Sequence, residues 1–351
     1  MNTSKLIFPG KVSPLSTLNR ILNGPKYHGI KFFLLVDENS YNNCLPEILS
    51  RVTAFQEAEF LEVPIGEECK SLEIAAQVWG GLLESGADRN TVLVNIGGGC
   101  VSDLGGFVAA GFKRGIRYIN IPTTLIGMAD AAIGGKTAVN VEGNKNQVGF
   151  FHAPEIVCLN PDFLASLPDE EMINGLFEVI KTMAVSSPEI YTSLMNALME
   201  GNVDVSDVLV RECAMVKHSV VKQDPTDLGI RHILNFGHTF GHAIESYGMK
   251  RHKPLRHGEA VGLGMLCAMY LSTKKLGLSD EVYSQYREIV KKMVEIPRYS
   301  LKDTEELLGY MRQDKKNADG HILCVLLQEI GVPVIDIMVD ENEVRDALLK
   351  L

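Results

Sequence analysis

Four short runs of aliphatic and β-branched residues constrain this chain most: Lys31-Phe-Phe-Leu-Leu-Val-Asp37, Thr91-Val-Leu-Val-Asn-Ile96, Arg117-Tyr-Ile-Asn-Ile-Pro122 and Glu155-Ile-Val-Cys-Leu-Asn160. They are nearly continuous in apolar character and do not alternate. Helically spaced stretches such as 70–85 lie between them. Unbroken apolar strands separated by helices specify a parallel sheet covered on both faces. From about Pro161 the pattern becomes helical almost throughout, with helices expected at 188–200, 204–222, 236–248, 257–276 and 279–294. Only Ile322–Leu327 reads as extended. The expectation is an α/β, Rossmann-like nucleotide-binding domain over 1–161 and an all-α metal- and substrate-binding domain over 162–351, with the site in the cleft between them.

The chain of 351 residues carries 34 basic and 44 acidic side chains, a net charge of -10. Such a balance argues against nucleic acid or an anionic membrane as a partner. Its seven cysteines are scattered and odd in number. They read as reduced, mostly buried thiols of a cytoplasmic protein. The N-terminal residues show no apolar signal region. The longest apolar stretch, Val261–Leu271, is too short to span a bilayer.

Gly97-Gly-Gly99 follows a strand and opens a helix. Glycines there let backbone N–H groups approach a phosphate at a helix N-terminus. The run is a near miss for the dinucleotide pattern, because Ser102 stands where a third glycine belongs. Thr123 and Thr124 end the next strand, where ligands of parallel sheets bind. Gly134-Gly-Lys136 resembles the end of a P-loop, but Asp130 replaces the glycine that motif needs. Lys145-Asn146 adds a charge and an amide nearby. The strongest signal is Leu234-Asn-Phe-Gly-His-Thr-Phe-Gly-His242. His238 and His242 are four apart and share one helix face. Asn235 is placed to cap that helix. His257 opens the next helix, and Glu178 and Lys181 lie one turn apart on an earlier one. Two histidines and a glutamate are a common catalytic zinc set. Spacing alone makes both His238 and His242 ligands.

These segments, with His257-Gly-Glu259 and Asp314-Lys-Lys316, resemble the 3-dehydroquinate synthase family in order and spacing from about residue 31 to about 335. Phe177 stands where that family commonly has alanine. The resemblance implies a two-domain enzyme, a carbon–oxygen lyase of the shikimate pathway, on the way to chorismate and the aromatic amino acids. Its sugar-phosphate substrate would be 3-deoxy-D-arabino-heptulosonate 7-phosphate. NAD would oxidise a ring hydroxyl, phosphate would leave by elimination, the same cofactor would reduce the ketone, and an aldol step would close the carbocycle. The metal, zinc or cobalt, would fall to Glu178, His238 and His257, leaving His242 as a polar contact near the phosphate. The phosphate set would be Lys136, Asn146, Lys315 and Arg114, with the arginine supplied by a neighbouring subunit of a homodimer. Lys217 and Arg231 would clamp the carboxylate; Asp130, Lys181 and Asn235 would meet substrate hydroxyls. Asp37, Asn39, Glu67, Lys70, Gly98, Gly99, Asp103, Thr123, Thr124 and Lys145 would hold NAD. Another sugar phosphate cyclase, or a metal-dependent dehydrogenase of the glycerol dehydrogenase kind, is the competing expectation.

Overall fold

The computed structural model describes residues 4–142, 144–202, 205–312 and 321–351. The chain divides into two compact units, residues 1–172 with 206–218, and residues 173–205 with 219–351.

The first unit is built on a six-stranded sheet. In chain order its strands are β1 (Lys5–Ile7), β2 (Phe32–Asp37), β3 (Glu59–Val63), β4 (Val92–Gly97), β5 (Arg117–Pro122) and β8 (Ile156–Cys158). They lie in the spatial order β1-β8-β5-β4-β2-β3, and every pairing is parallel. All six residues of β2 and of β4 are buried, as a sheet covered on both faces requires. The covering helices are α1 (Pro14–Leu22), α2 (Glu38–Asn43), α3 (Leu45–Arg51), α4 (Leu72–Glu84) and α5 (Gly99–Gly111). Leu93, Val101, Leu104, Phe107, Tyr118 and Val139 belong to one buried cluster with residues of α4.

Strand β3 lies on one side of β2 and β4 on the other. The order therefore reverses between β2 and β4, and ligands of such sheets bind beyond the carboxyl ends of strands at that point. Asp37 ends β2 and the triple glycine begins at the last residue of β4, so the topology puts both at the reversal.

A hairpin of β6 (Lys136–Val141) and β7 (Asn144–Phe151) completes this unit. The four strands read from the sequence do not include this pair. Lys136 begins β6 while Lys145 and Asn146 lie near the turn; Asn140 is four positions beyond Lys136, roughly 13 Å at the rise of a strand.

The second unit is helical: most of α6 (Asp169–Ala184), α7 (Pro188–Glu200), the end of α8 (Asp207–Gln223), α9 (His238–Lys250), α10 (His257–Lys275), α11 (Asp280–Met293), α12 (Leu301–Arg312) and α13 (Glu341–Leu349). The expected extended run is there as β9 (Ile322–Glu329), but it pairs antiparallel with β10 (Val332–Val339), an addition to the all-α expectation. Pro333 and the left-handed Asp336 (φ 57°) break the regular pattern that would have announced β10. Among the described residues no helix is long and apolar enough to cross a membrane.

Candidate active site

Three helices of the second unit carry the histidines and the glutamate. Helix α10 lies close to α6 and to α9 because it presents glycine to each. A Cβ at Gly264 would fall 2.0 Å from the Gly237 carbonyl oxygen that precedes α9, and one at Gly258 would fall 1.9 Å from the Asn174 carbonyl oxygen of α6. Non-bonded contact needs about 3.5 Å, so no larger residue fits without the helices moving apart.

Helix α9 begins after Gly237, whose φ of 79° is left-handed. This corrects the expectation that Asn235 caps the helix. The chain passes through extended Phe236 and the Gly237 turn first, leaving Asn235 at the end of the 3-10 turn Ile230–Asn235. Its Nδ2 is buried and has no hydrogen-bond partner among the described residues.

The rings of His238, His242 and His257 form one group, with a nitrogen of each within 4.8 Å of the others. Glu178, fully buried on α6, distinguishes among them. Its Oε1 lies 3.7 Å from His238 Nε2 and 3.5 Å from His257 Nε2. Its Oε2 accepts from the buried ammonium of Lys181. The outer nitrogens are oriented too: His238 Nδ1 is 3.3 Å from the Phe236 carbonyl oxygen and His257 Nδ1 is 3.2 Å from Glu245 Oε2. Both Nε2 atoms therefore face one carboxylate oxygen. Donors on the edge of a tetrahedron with bonds of about 2.1 Å stand about 3.4 Å apart, so this spacing fits a zinc-sized ion. Burial opposes charge on the His257 ring, but Glu178 and Glu245 outweigh it and push its pKa up to about 10. Two nitrogens and a carboxylate in a field that favours positive charge suit zinc or cobalt.

Glu245 went unassigned in the sequence, although its signal was there. It follows His238 by seven residues and His242 by three, so all three lie along one face of α9. A carboxylate behind a ligating imidazole fixes its tautomer and raises its basicity. Glu245→Gln is expected to weaken zinc or cobalt binding by about 10- to 100-fold, measured by competition with a chromophoric chelator. Binding as tight as that of the unchanged protein would remove Glu245 from this role.

Elsewhere in the second unit, Arg231 is buried and its Nη1 donates to the Pro225 carbonyl at 3.1 Å. Asp224 shapes that loop. Its carboxylate accepts from the backbone N–H of Leu228 at 3.0 Å, Gly229 at 2.7 Å and Arg231 at 3.1 Å. Burial works against its charge, yet these donors hold its pKa below the usual range. The sequence reading missed Asp224 because its partners are backbone groups.

In the first unit, Lys70 is buried and its Nζ lies 2.7 Å from Asp103 Oδ2 and 2.6 Å from Asn146 Oδ1. Burial opposes the ammonium, but neighbouring Asp103 overcomes it and raises the pKa. Burial raises that of Asp103 in turn, against the pull of Lys70. Asn140 Nδ2 donates to Glu67 Oε2 at 2.7 Å, and its Oδ1 accepts from the Asn146 backbone N–H at 3.0 Å. Lys145 Nζ lies 3.6 Å from Glu67 Oε1. Glu67, Lys70, Asp103, Lys145 and Asn146 thus form one network, and Asn140, which no motif flagged, ties it together. Asn146 keeps company with the expected cofactor residues, and Lys136 is exposed at the far end of the hairpin.

Asp130 lies on the π-helical turn Gly127–Ala131, a form frequent at functional sites. Thr124 Oγ1 accepts from the Gly127 N–H at 3.2 Å, and buried Asn120 donates to the Ala132 carbonyl at 2.9 Å. Asp130 forms an ion pair with buried Lys217. Gly98 precedes α5 without a side-chain cap, and a Cβ there would lie 3.1 Å from Thr124 Cγ2, so the start of the helix adjoins Thr124. Asp37 Oδ1 caps α2 through the Ser40 N–H at 2.7 Å, Asn39 is exposed, and Thr123 is buried. Arg114 is exposed on a left-handed turn, with φ 67°. Lys315 falls outside the described residues.

Residues 60–174 match the family 3-dehydroquinate synthase N-terminal, and residues 175–317 match 3-dehydroquinate synthase C-terminal. The 3-dehydroquinate synthase of Parabacteroides distasonis is 39% identical over 336 residues, covering 95% of this chain and 93% of its own. That of Clostridium tetani is 37% identical over 91% of this chain and 85% of its own. The solved 2-epi-5-epi-valiolone synthase from Streptomyces hygroscopicus subsp. jinggangensis 5008, with NAD+ and Zn2+ bound, shares the fold. Its TM-score is 0.84 at 24% identity, over 100% of this chain and 97% of that one. On these matches, the chain belongs to the 3-dehydroquinate synthase family.

Proposed function

We infer that this enzyme converts 3-deoxy-D-arabino-heptulosonate 7-phosphate to 3-dehydroquinate and phosphate, in the shikimate route to chorismate and the aromatic amino acids. The carrying observation is the single oxygen of Glu178 that faces Nε2 of both His238 and His257, in a chain of this family. Those three residues would hold a zinc or cobalt ion. Asp37, Asn39, Glu67, Lys70, Gly98, Gly99, Asp103, Thr123, Thr124 and Lys145 would hold NAD. NAD held there would supply reversible hydride transfer, and a metal held there would supply Lewis acidity toward the substrate hydroxyl.

The chain's own side chains bind and orient. Lys181 neutralises the outer oxygen of Glu178 and so fixes which oxygen faces the histidines. Asn235 offers its buried Nδ2 to a substrate hydroxyl, the role also assigned to Asp130 and Lys181. Arg231, steadied by Pro225, and Lys217 take the carboxylate. Lys136, Asn146, Lys315 and an Arg114 from a second copy take the phosphate, with His242 close by. Anions of this kind call for fixed cations and donors. Cysteines outside disulfides and mostly buried support a cytoplasmic place, and the proposed sharing of Arg114 would make the enzyme a homodimer.

The test supplies the heptulosonate phosphate with NAD and metal, and follows phosphate release together with nicotinamide absorbance. Phosphate should appear with no net NADH. Stoichiometric NADH would replace this reading with a dehydrogenase. Faster turnover of a phosphorylated sugar lacking the carboxylate would replace it with another cyclase.

A further inference from the structure

Helices α6 and α10 also meet one turn beyond Gly258, at Phe177 and Gly262. Phe177 is fully buried and immediately precedes Glu178. A Cβ at Gly262 would lie 2.4 Å from both Cδ1 and Cε1 of the Phe177 ring, far inside carbon–carbon contact. The phenyl ring therefore fills the volume that any larger residue at 262 would need. Gly258 and Gly262 are four apart on α10, and Asn174 and Phe177 are three apart on α6, so the contact follows one face of each helix. The Gly258 N–H donates to Asn174 Oδ1 at 2.7 Å and fixes the register of that contact. His257 adjoins Gly258 in the chain and Glu178 adjoins Phe177. A change in helix separation is passed directly to the 3.5 Å gap between Glu178 Oε1 and His257 Nε2.

We propose that Phe177 and Gly262 are a matched large–small pair that sets the separation of α6 and α10 and thereby holds Glu178 at metal-binding distance from His257. Phe177 is a positioning residue: it acts through Glu178. The proposal rests on the metal reading above, because it concerns how well that site is formed.

The test is a double-mutant cycle on the full-length chain, stripped of metal by chelation and dialysis: unchanged, Gly262→Ala, Phe177→Ala, and both together. Each protein is titrated with cobalt and followed by visible absorption, and each metal-free form is melted. In the Phe177 background, Gly262→Ala should weaken cobalt binding at least about tenfold, the size seen when support around a ligand is lost. In the Phe177→Ala background the new methyl has room, and the same change should cost less than about threefold, with partial recovery of the melting temperature. A merely structural pair would couple in the melts and leave cobalt affinity unmoved, which overturns the proposal. Equal cost in both backgrounds overturns it as well. If Gly262→Ala does not fold, recovery of the fold by Phe177→Ala or Phe177→Leu, with cobalt bound, supports the pair, and failure of both overturns it. Should the unchanged protein bind no cobalt, the metal reading itself falls. Loss of coupling with that binding intact overturns only the present inference.

Discussion

Glu178→Gln is expected to lower turnover by about a thousandfold or more, because Lewis-acid stabilisation is worth several kcal/mol and each 1.4 kcal/mol or so is a factor of ten. The substitution keeps the shape of the side chain and removes the charge that faces His238 and His257. It also leaves buried Lys181 opposite a neutral amide. Breaking one side of a buried pair costs roughly 3–5 kcal/mol, so the variant should remain folded with a lower melting temperature. Chelation separates the two effects. Removing the metal from the unchanged protein should abolish turnover and leave the Glu178–Lys181 pair in place, and added zinc or cobalt should restore activity. Phosphate release and circular dichroism, measured on the same samples, check both arms. Activity that survives both chelation and Glu178→Gln would end the metal assignment.

Lys70→Met should have the next largest effect, and in the first unit. The change preserves the apolar stem and deletes the ammonium that Asp103 and Asn146 share. Asp103 then keeps a poorly solvated carboxylate with no cation beside it. A loss of roughly 3–5 kcal/mol follows from the broken pair. At about 2–4 °C per kcal/mol for a unit of this size, the melting temperature should fall by roughly 10 °C. NAD binding should weaken as well, since the network joins Asp103 to Glu67 through Asn140 and Asn146. Adding Asp103→Asn should recover part of the lost stability, because two neutral side chains no longer leave a charge stranded. A melting temperature unchanged by Lys70→Met would show that the pair contributes nothing to the fold.

The parallel sheet was legible because its signal is local. Strands β2 and β4 are buried on both faces, as short, continuous, β-branched apolar runs between helices require. The hairpin β6–β7 was not legible. It lies apart from the main sheet, and Lys136, Lys145 and Asn146 interrupt any continuous apolar run in its strands. Strand β10 was hidden for a related reason, with Pro333 and a left-handed Asp336 inside it.

The site divides along the same line. Spacing on one helix put His238 and His242 together and left Glu245 in plain view on the same face, because residues three, four and seven apart on a helix are neighbours whatever the rest of the chain does. Spacing could not choose among the histidines. Which rings lie beside Glu178 depends on helices far apart in the chain, and the carbonyl of Phe236 and the carboxylate of Glu245 turn His238 and His257 toward one Glu178 oxygen. Family resemblance pointed to the same set, yet the physical reason is a distance between helices. Gly258, Gly262 and Gly264 permit that distance by close packing, and Phe177 fills the space Gly262 leaves. By itself the sequence determined the parallel strands, most of the helices and which residues can bind a metal. The tertiary structure alone decided which atoms face one another, because contacts between segments far apart in the chain have no period to read.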